Sequence, residues 1–294
     1  MTNSHRRFMV AVITATTLLF AISGASAQQG EDLRDAAQNP IADLISVPFQ
    51  NNTNFDIGHT DNTQNVLNIQ PVYPLHLNPN WNLITRPILP VIYQPPFLAR
   101  RGLAAAEEIF GSGIGDTEFG LGDLTPEFFF SPRKPIQLGP GTSLVWGAGP
   151  AFQLPTATDD ELGTGKWSAG PGFVVFLSDR ALHVTTGFLI LNLWSFAGDE
   201  DRANVNAMTL QPFLNYNLPK GWYLTSSPLI TANWEADTDN RWTVPIGGGF
   251  GRIFKIGHQP INANIAAYYN VVTPDDTGAN WQLRAQWTFL YPSH

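Results

Sequence analysis

The sequence predicts an all-β fold: a closed antiparallel transmembrane β-barrel of about twelve strands, preceded by a short helical segment. Three observations lead to this prediction. Strand-length runs alternate between apolar and polar residues, their connections fall into a short class and a longer acidic class, and tryptophans stand near the strand ends. Outer-membrane barrels combine these features, because each strand faces lipid on one side and the lumen on the other, between two aromatic girdles.

The last run, residues 281–291, shows the alternation clearly. One face carries Trp281, Leu283, Ala285, Trp287, Phe289 and Tyr291, and the other carries Gln282, Arg284, Gln286, Thr288 and Leu290. Successive side chains of a strand point to opposite faces, so this strand has one apolar face and one mainly polar face. A soluble sheet could show the same pattern, and the repetition of such runs along the chain decides between the two.

Residues 1–27 have the features of a cleaved secretory signal peptide. Arg6 and Arg7 supply a positive start, an apolar run follows, and small residues at 25–27 offer a cleavage site. The apolar run is shorter than the roughly 20 residues that a transmembrane helix needs. We therefore expect export to the outer membrane of a Gram-negative cell envelope.

Composition and charge restrict the classes of function. The 294 residues include 26 Gly, 23 Pro and no cysteine, which suits many short strands and excludes disulfides and thiolate metal sites. The formal charge of −8 becomes −10 once Arg6 and Arg7 are removed. A nucleic-acid partner would need a basic surface, so none is expected.

Residues 28–46 are predicted to precede the barrel, which would occupy residues 47–294. Their apolar residues have helical spacing that is broken at Pro40. One interpretation is a plug inside the lumen, and the other is a periplasmic tail at the barrel rim. Within the barrel, Pro87 and Pro90 interrupt the third run, residues 81–94, although a proline cannot donate to a strand ladder.

The longest connection, residues 95–115, contains a helix-capable stretch with two arginines and two glutamates. Long loops in compact domains are often functional. This loop either folds inward and constricts the channel or forms an exposed helix. Its gating candidates are Arg100, Arg101, Glu107 and Glu108.

The remaining connections alternate between short basic turns and longer acidic loops. Short periplasmic turns and longer outer loops are typical of membrane barrels. The acidic loops are interpreted as solvated segments, with contact to lipopolysaccharide through divalent ions as a possible role. The predicted membrane-interface aromatics are Trp167, Trp234, Trp242 and Trp281 at the acidic-loop ends, and Trp222 and Trp287 at the short-turn ends, whereas Trp146 falls in mid-strand.

The polar faces of the runs predict the lining of the lumen. The candidates are Asn68, Gln70, Thr225, Asn233, Asn262, Asn264, Tyr268, Gln282, Arg284 and Gln286. Amide, hydroxyl and aromatic groups with one arginine suit a small polar or aromatic solute. The alternative is that these groups only hydrogen-bond one another and fill the interior, since about twelve strands lie between filled eight-stranded barrels and open porins.

No motif indicates catalysis or a bound cofactor. There is no GxSxG sequence, and no histidine is expected beside a serine at an outer strand end. The acidic loops do not have the spacing of a calcium-binding loop. We therefore expect a protein that is not an enzyme and that has neither cofactor nor metal.

Several motifs resemble a known family. The stretches QNPIADLISVPFQNNTNF, GLGD with FFFSP, LPTATDDELGTGKW, and QPFLNYNLPKGWYLTSSP with WTVPIGGGFGR are similar to outer-membrane proteins of the "MetA-pathway of phenol degradation" transporter family. This resemblance implies a barrel that handles aromatic or hydrophobic compounds, and it supplies no binding residues.

The sequence thus predicts a porin-like channel or transporter for passive uptake or efflux of a small solute, hydrophobic or aromatic. The expected partners are outer-membrane lipid, lipopolysaccharide, the solute, and the barrel-assembly machinery acting on the C-terminal strand. A structural or adhesive barrel without transport, and a soluble exported β-sandwich that binds a ligand, are the alternatives.

Overall fold

The computed structural model describes residues 33–58, 62–96, 117–275 and 277–292. A helix at residues 33–38 precedes sixteen strand segments. They are β1 (Leu44–Ile57), β2 (Asn62–Ile69), β3 (Tyr73–Asn78), β4 (Trp81–Gln94), β5 (Glu118–Leu121), β6 (Thr125–Pro132), β7 (Ile136–Gly139), β8 (Thr142–Gln153), β9 (Lys166–Asp179), β10 (Val184–Gly198), β11 (Asn206–Asn217), β12 (Trp222–Ser226), β13 (Ile230–Asn233), β14 (Trp242–Ile256), β15 (Gln259–Val272) and β16 (Ala279–Pro292). No helix in these ranges is long and apolar enough to cross a membrane.

The segments form twelve antiparallel barrel strands, as predicted. Segments β2 and β3 belong to one interrupted strand, β5, β6 and β7 to another, and β12 and β13 to a third. The barrel is closed, because β1 pairs with β16 along its whole length and β10 pairs with β11. A closed sheet of this kind is not a sandwich of two sheets, so the soluble sandwich was a wrong alternative for the fold.

The connections sort to the two ends of the barrel. One end, called here the short-turn end, carries the turns at residues 79–80, 140–141, 180–183, 218–221 and 257–258, and the break at residues 133–135 between β6 and β7 lies near it. The opposite end, called the long-loop end, carries residues 154–165, 199–205, 234–241 and the segment after β15. The predicted division into short basic turns and longer acidic loops is therefore confirmed as a division between barrel ends.

The strands have the predicted alternation of faces. In β9, Trp167 and Phe173 are exposed on the outside, whereas Val174, Phe176 and Ser178 are buried inside. Residues that pair across neighbouring strands face the same side of the barrel. Phe173, for example, pairs with Ala148 of β8 and with Ile190 of β10. The outside of the barrel is thus apolar along its strands, as a surface in contact with hydrocarbon requires.

The tryptophans lie on the outward face in two belts. Near the long-loop end, the rings of Trp234 and Trp242 meet edge to face with centroids 5.4 Å apart. Near the short-turn end, Trp146 meets Trp81 in the same way at 5.9 Å. Trp146 falls in the interior of β8, as predicted, and its contact with Trp81 joins it to the belt at the short-turn end.

One of the two prolines of β4 falls at a gap in the pairing on one side of the strand. Strand β4 pairs with β2 at residues 89–93 and with β3 at residues 81–85, so Pro87 falls where neither segment reaches. On its other side Pro87 lies opposite Pro126 of β6. Pro90 lies inside the β2 pairing, opposite Asn68, so the gap accounts for Pro87 and not for Pro90.

Candidate functional site in the barrel lumen

The lumen contains a cavity of about 160 Å³ at the level of the short-turn half of the barrel. Polar side chains of β1, β11, β12, β15 and β16 line most of it, and Leu189, Val72 and Phe213 add apolar surface. The lumen therefore has two unlike walls, and the strand register determines which residues form each.

Seven of the ten predicted lumen residues line this one cavity. They are Gln70, Thr225, Asn262, Asn264, Tyr268, Arg284 and Gln286. The other three lie elsewhere: Asn68 pairs with Gln50 across β1 and β2, Gln282 donates to Asn54 Oδ1 at 2.9 Å, and Asn233 Oδ1 accepts from the Glu235 amide at the end of β13. The polar faces of the runs thus converge on a single space.

Arg284 is the centre of the polar wall. It is 4% exposed, and it donates to Asn52 Oδ1 at 2.9 Å, to the Ser227 carbonyl at 2.7 Å and to Gln282 Oε1 at 3.0 Å. Its guanidinium also lies 5.0 Å from the ring centroid of Tyr268. No carboxylate of the described residues pairs with this buried guanidinium, so it needs such a set of neutral acceptors and fixes their positions.

A second cation lies in the lumen on β4, which is separated from the strand of Arg284 by β2 and β1. Arg86 of β4 lies 3.3 Å from Glu127 of β6 and donates to Gln70 Oε1 at 2.8 Å. Glu127 is 3% exposed, so this ion pair is almost fully out of solvent. Neither residue was among the predicted lumen residues, because the run that contains Arg86 was ambiguous and the run that contains Glu127 was not divided into faces.

The other wall of the lumen is apolar, and the sequence analysis did not predict it. Inward side chains of β4, β6, β9 and β10 form one buried cluster that includes Ile84, Phe129, Val174, Leu189 and Leu191. The inward rings of Phe176 and Phe213 stack across Gly187, with centroids 6.2 Å apart. A Cβ at Gly187 would come within 2.8 Å of the Phe213 ring, so glycine permits this approach. Their strands carry apolar residues on both faces, so the sequence pattern did not show which face lines the lumen.

The N-terminal segment lies inside the barrel at its short-turn end. Asp35 Oδ2 accepts from Ser178 Oγ at 2.9 Å, Gln38 Oε1 accepts from Thr185 Oγ1 at 2.8 Å, and the Ala37 carbonyl accepts from Asn262 Nδ2 at 3.3 Å. Ser178, Thr185 and Asn262 are all inward residues. Of the two predicted positions for this segment, the geometry therefore favours a plug inside the lumen. Residues 33–42 are called the plug below.

Ile41 connects this plug to the apolar wall. Its side chain is 3% exposed and belongs to the buried cluster of Ile84, Phe129 and Val174. The strand that follows begins at Leu44, three residues before the predicted boundary, and Leu44 packs with Ala42 and Leu290. The plug is thus held by polar contacts on one side and by apolar contacts on the other.

At the long-loop end, the acidic loop 154–165 is tied to the barrel by Asp123. The Asp123 carboxylate is 7% exposed and accepts from the Thr164 amide at 2.7 Å, Thr164 Oγ1 at 2.8 Å and the Ala157 amide at 3.2 Å. Leu162 of the same loop is buried against Gly120. This loop was predicted to be solvated, and part of it instead packs on β5. The loop residues 95–96 are described, but the gating candidates Arg100, Arg101, Glu107 and Glu108 lie outside the described residues.

We expect Asp123→Ala to release loop 154–165 without unfolding the barrel. The substitution leaves the Thr164 and Ala157 donors without their acceptor, and each such loss typically costs about 1–3 kcal/mol. Amide hydrogen exchange at residues 157 and 164 should become much faster. As a matched control, Asp159→Ala removes only the bond to the Glu161 amide and should leave residue 164 protected. Equal protection of residue 164 in wild type and Asp123→Ala would contradict this role.

Comparisons with solved structures agree with the fold. The chain is similar to the COG4313 outer membrane channel from Pseudomonas putida F1, with a TM-score of 0.58 and 15% identity over 84% of this chain and 94% of that chain. It also matches the NanC porin (TM-score 0.47, 10% identity, 83% and 98% covered) and outer membrane phospholipase A from Escherichia coli (TM-score 0.46, 13% identity, 86% and 93% covered).

No family model and no curated protein matches the sequence. At 15% identity the likeness to the COG4313 channel shows the fold alone, a β-barrel, and the family resemblance of the motifs stays a prediction.

Proposed function

We propose that this protein is an outer-membrane channel that admits a small hydrophobic or aromatic solute to its lumen and is closed by the plug at its short-turn end. The apolar wall inside the lumen is the observation that carries this proposal. Channels for hydrophilic solutes have polar, water-filled interiors. Here Ile84, Phe129 and Val174 lie inside the barrel beneath Ile41, so movement of the plug would expose apolar surface to an entering molecule.

The polar wall complements this apolar one. Tyr268, Asn264 and Gln286 line the cavity and offer hydroxyl and amide groups to a solute that carries a polar substituent. Binding sites for small molecules commonly combine apolar surface with a few polar groups that fix orientation. An aromatic compound with one or two polar substituents matches both walls, as does the class of compound implied by the family resemblance.

The remaining expectations belong to the same proposal. The short-turn end would face the periplasm and the long-loop end the exterior, with lipid around the apolar outside and lipopolysaccharide next to the acidic loops. Residues 1–27 would be removed on export, and the barrel-assembly machinery would act on β16. We propose a role in passage rather than in catalysis.

Solute entry into liposomes that contain the purified protein tests this function. We expect faster entry of a small aromatic alcohol than of a sugar of similar mass. Thr225→Trp places a large side chain in the cavity and should reduce entry of the aromatic solute several-fold. Leu224→Trp is the matched control, because Leu224 lies next to Thr225 on the outward face and is 51% exposed.

The two variants separate the possible outcomes. Blocked entry in Thr225→Trp with normal entry in Leu224→Trp supports passage through the lumen. Equal entry in both variants and in wild type, or no entry above protein-free liposomes even after the plug is removed, would instead favour a structural or adhesive barrel. Heat-modifiable migration on gels confirms that each variant remains folded.

A further inference from the structure

A groove of about 540 Å³ lies on the outside of the barrel, on the strands β12, β14, β15, β16 and β1. It is distinct from the lumen, because its lining consists mainly of outward side chains. Its floor is made by the small residues Ala263 and Ala285. Ala263 pairs with Trp287, and Ala285 pairs with Ile265. Large aromatic side chains on both sides leave a depression over these alanines.

The aromatic walls of the groove hold each other in place. On one side Trp222 lies 6.2 Å from Phe250 between ring centroids, and on the other Phe254 meets Trp287 edge to face at 5.8 Å. Trp222 and Trp287 belong to the tryptophan belt at the short-turn end. The groove therefore begins at the membrane interface and opens toward the centre of the apolar band.

Arg252 stands in the wall of this groove without a carboxylate partner in the described part of the chain. It is exposed, its guanidinium lies 5.2 Å from the Trp222 ring centroid, and its Nε donates to the Lys220 carbonyl at 3.4 Å. These contacts aim the guanidinium along the surface and leave its terminal nitrogens without a protein acceptor among the described residues. A cation on a lipid-facing surface is tolerated near the headgroups, where an anion from outside can reach it.

We propose that this groove binds one phospholipid, with its phosphate on Arg252 and an acyl chain over Ala263 and Ala285. Arginine binds phosphate with two parallel hydrogen bonds, and Lys220 in the adjoining turn adds positive charge at the same level. The apolar walls and alanine floor match an acyl chain that runs from the headgroup level into the bilayer. The inference rests on the proposed placement of the barrel in a membrane.

Native mass spectrometry of the purified protein titrated with phosphatidylglycerol tests the proposal. Wild type should retain one lipid molecule more strongly than the others. Arg252→Gln should weaken this first binding by about tenfold, as expected for loss of charged hydrogen bonds. Ala285→Phe keeps the arginine but fills the groove, and it should weaken retention to a similar degree. If Ala285→Phe fails to fold, Ala263→Phe makes the same change on the neighbouring strand.

The control is Arg133→Gln, which removes an exposed arginine at the same end of the barrel outside the groove. It should bind the lipid as wild type does. The proposal is overturned if Arg252→Gln or the groove-filling variant binds normally, or if Arg133→Gln loses the lipid equally. Failure of the proposed channel would be seen separately, because Arg252 and Ala285 face away from the lumen and solute entry can be measured on the same variants.

Discussion

Deletion of residues 28–42 is expected to raise the ionic conductance of the barrel several-fold in planar bilayers. The reason is that the helix 33–38 and Ile41 lie in the lumen at the short-turn end, where they contact Ser178, Thr185 and the apolar wall. The deletion stops before Leu44, because that residue begins β1 and pairs with β16. Single-channel recording measures the change, and heat-modifiable migration checks that the barrel still folds.

A crosslinked variant provides the matched control for the deletion. The chain has no native cysteine, so Asp35→Cys with Ser178→Cys introduces one unique thiol pair where the two side chains already make a 2.9 Å hydrogen bond. A bifunctional thiol reagent should hold the plug in place and keep the conductance as low as that of the full chain, well below that of the deletion variant. A deletion variant that conducts no better than the full chain would show that the plug does not close the lumen.

Arg86→Met is expected to destabilise the barrel by about 3–5 kcal/mol, the usual cost of leaving one member of a buried ion pair alone. Glu127 is 3% exposed, so its carboxylate would be left buried without the guanidinium, and Gln70 loses a donor at the same time. Urea unfolding in lipid vesicles, followed by tryptophan fluorescence, measures the free energy of unfolding.

Two further variants isolate the cause of that loss. Arg86→Met with Glu127→Met replaces the pair by apolar groups and should recover most of the stability, because no buried charge remains unpaired. Arg133→Met breaks the exposed pair with Asp43, whose atoms are 3.8 Å apart, and should cost less than about 1 kcal/mol. A double variant as unstable as Arg86→Met would mean that packing around β4, and not the isolated charge, sets the cost.

The outside of the barrel could be predicted almost completely from the sequence. The twelve runs, the two classes of connection and the tryptophan belts all follow from local patterns, since a residue and its second neighbour share a face of a strand. The contact of Trp146 with Trp81 could not be predicted, because it joins residues 65 positions apart across an intervening strand. The break at Pro87 was likewise invisible until the pairing partners of β4 were known.

The candidate site could be predicted only in part. Seven polar residues were found because alternation places them inward, whichever strands are neighbours. The apolar wall was missed because β9 and β10 carry apolar residues on both faces, and period-two alternation then cannot tell the lumen from the lipid. Glu127 and Arg86 were missed because their pairing depends on the β4–β6 register.

The sequence by itself determined a barrel with an apolar exterior, two distinct ends and a partly polar lumen, because these properties depend on residues two positions apart. Only the tertiary structure decided how the interior is filled, because its decisive contacts join residues far apart in the chain: Asp35 with Ser178 over 143 positions, and Arg284 with Asn52 over 232. Closure of the sheet brings these residues together, and no local pattern encodes which of them meet.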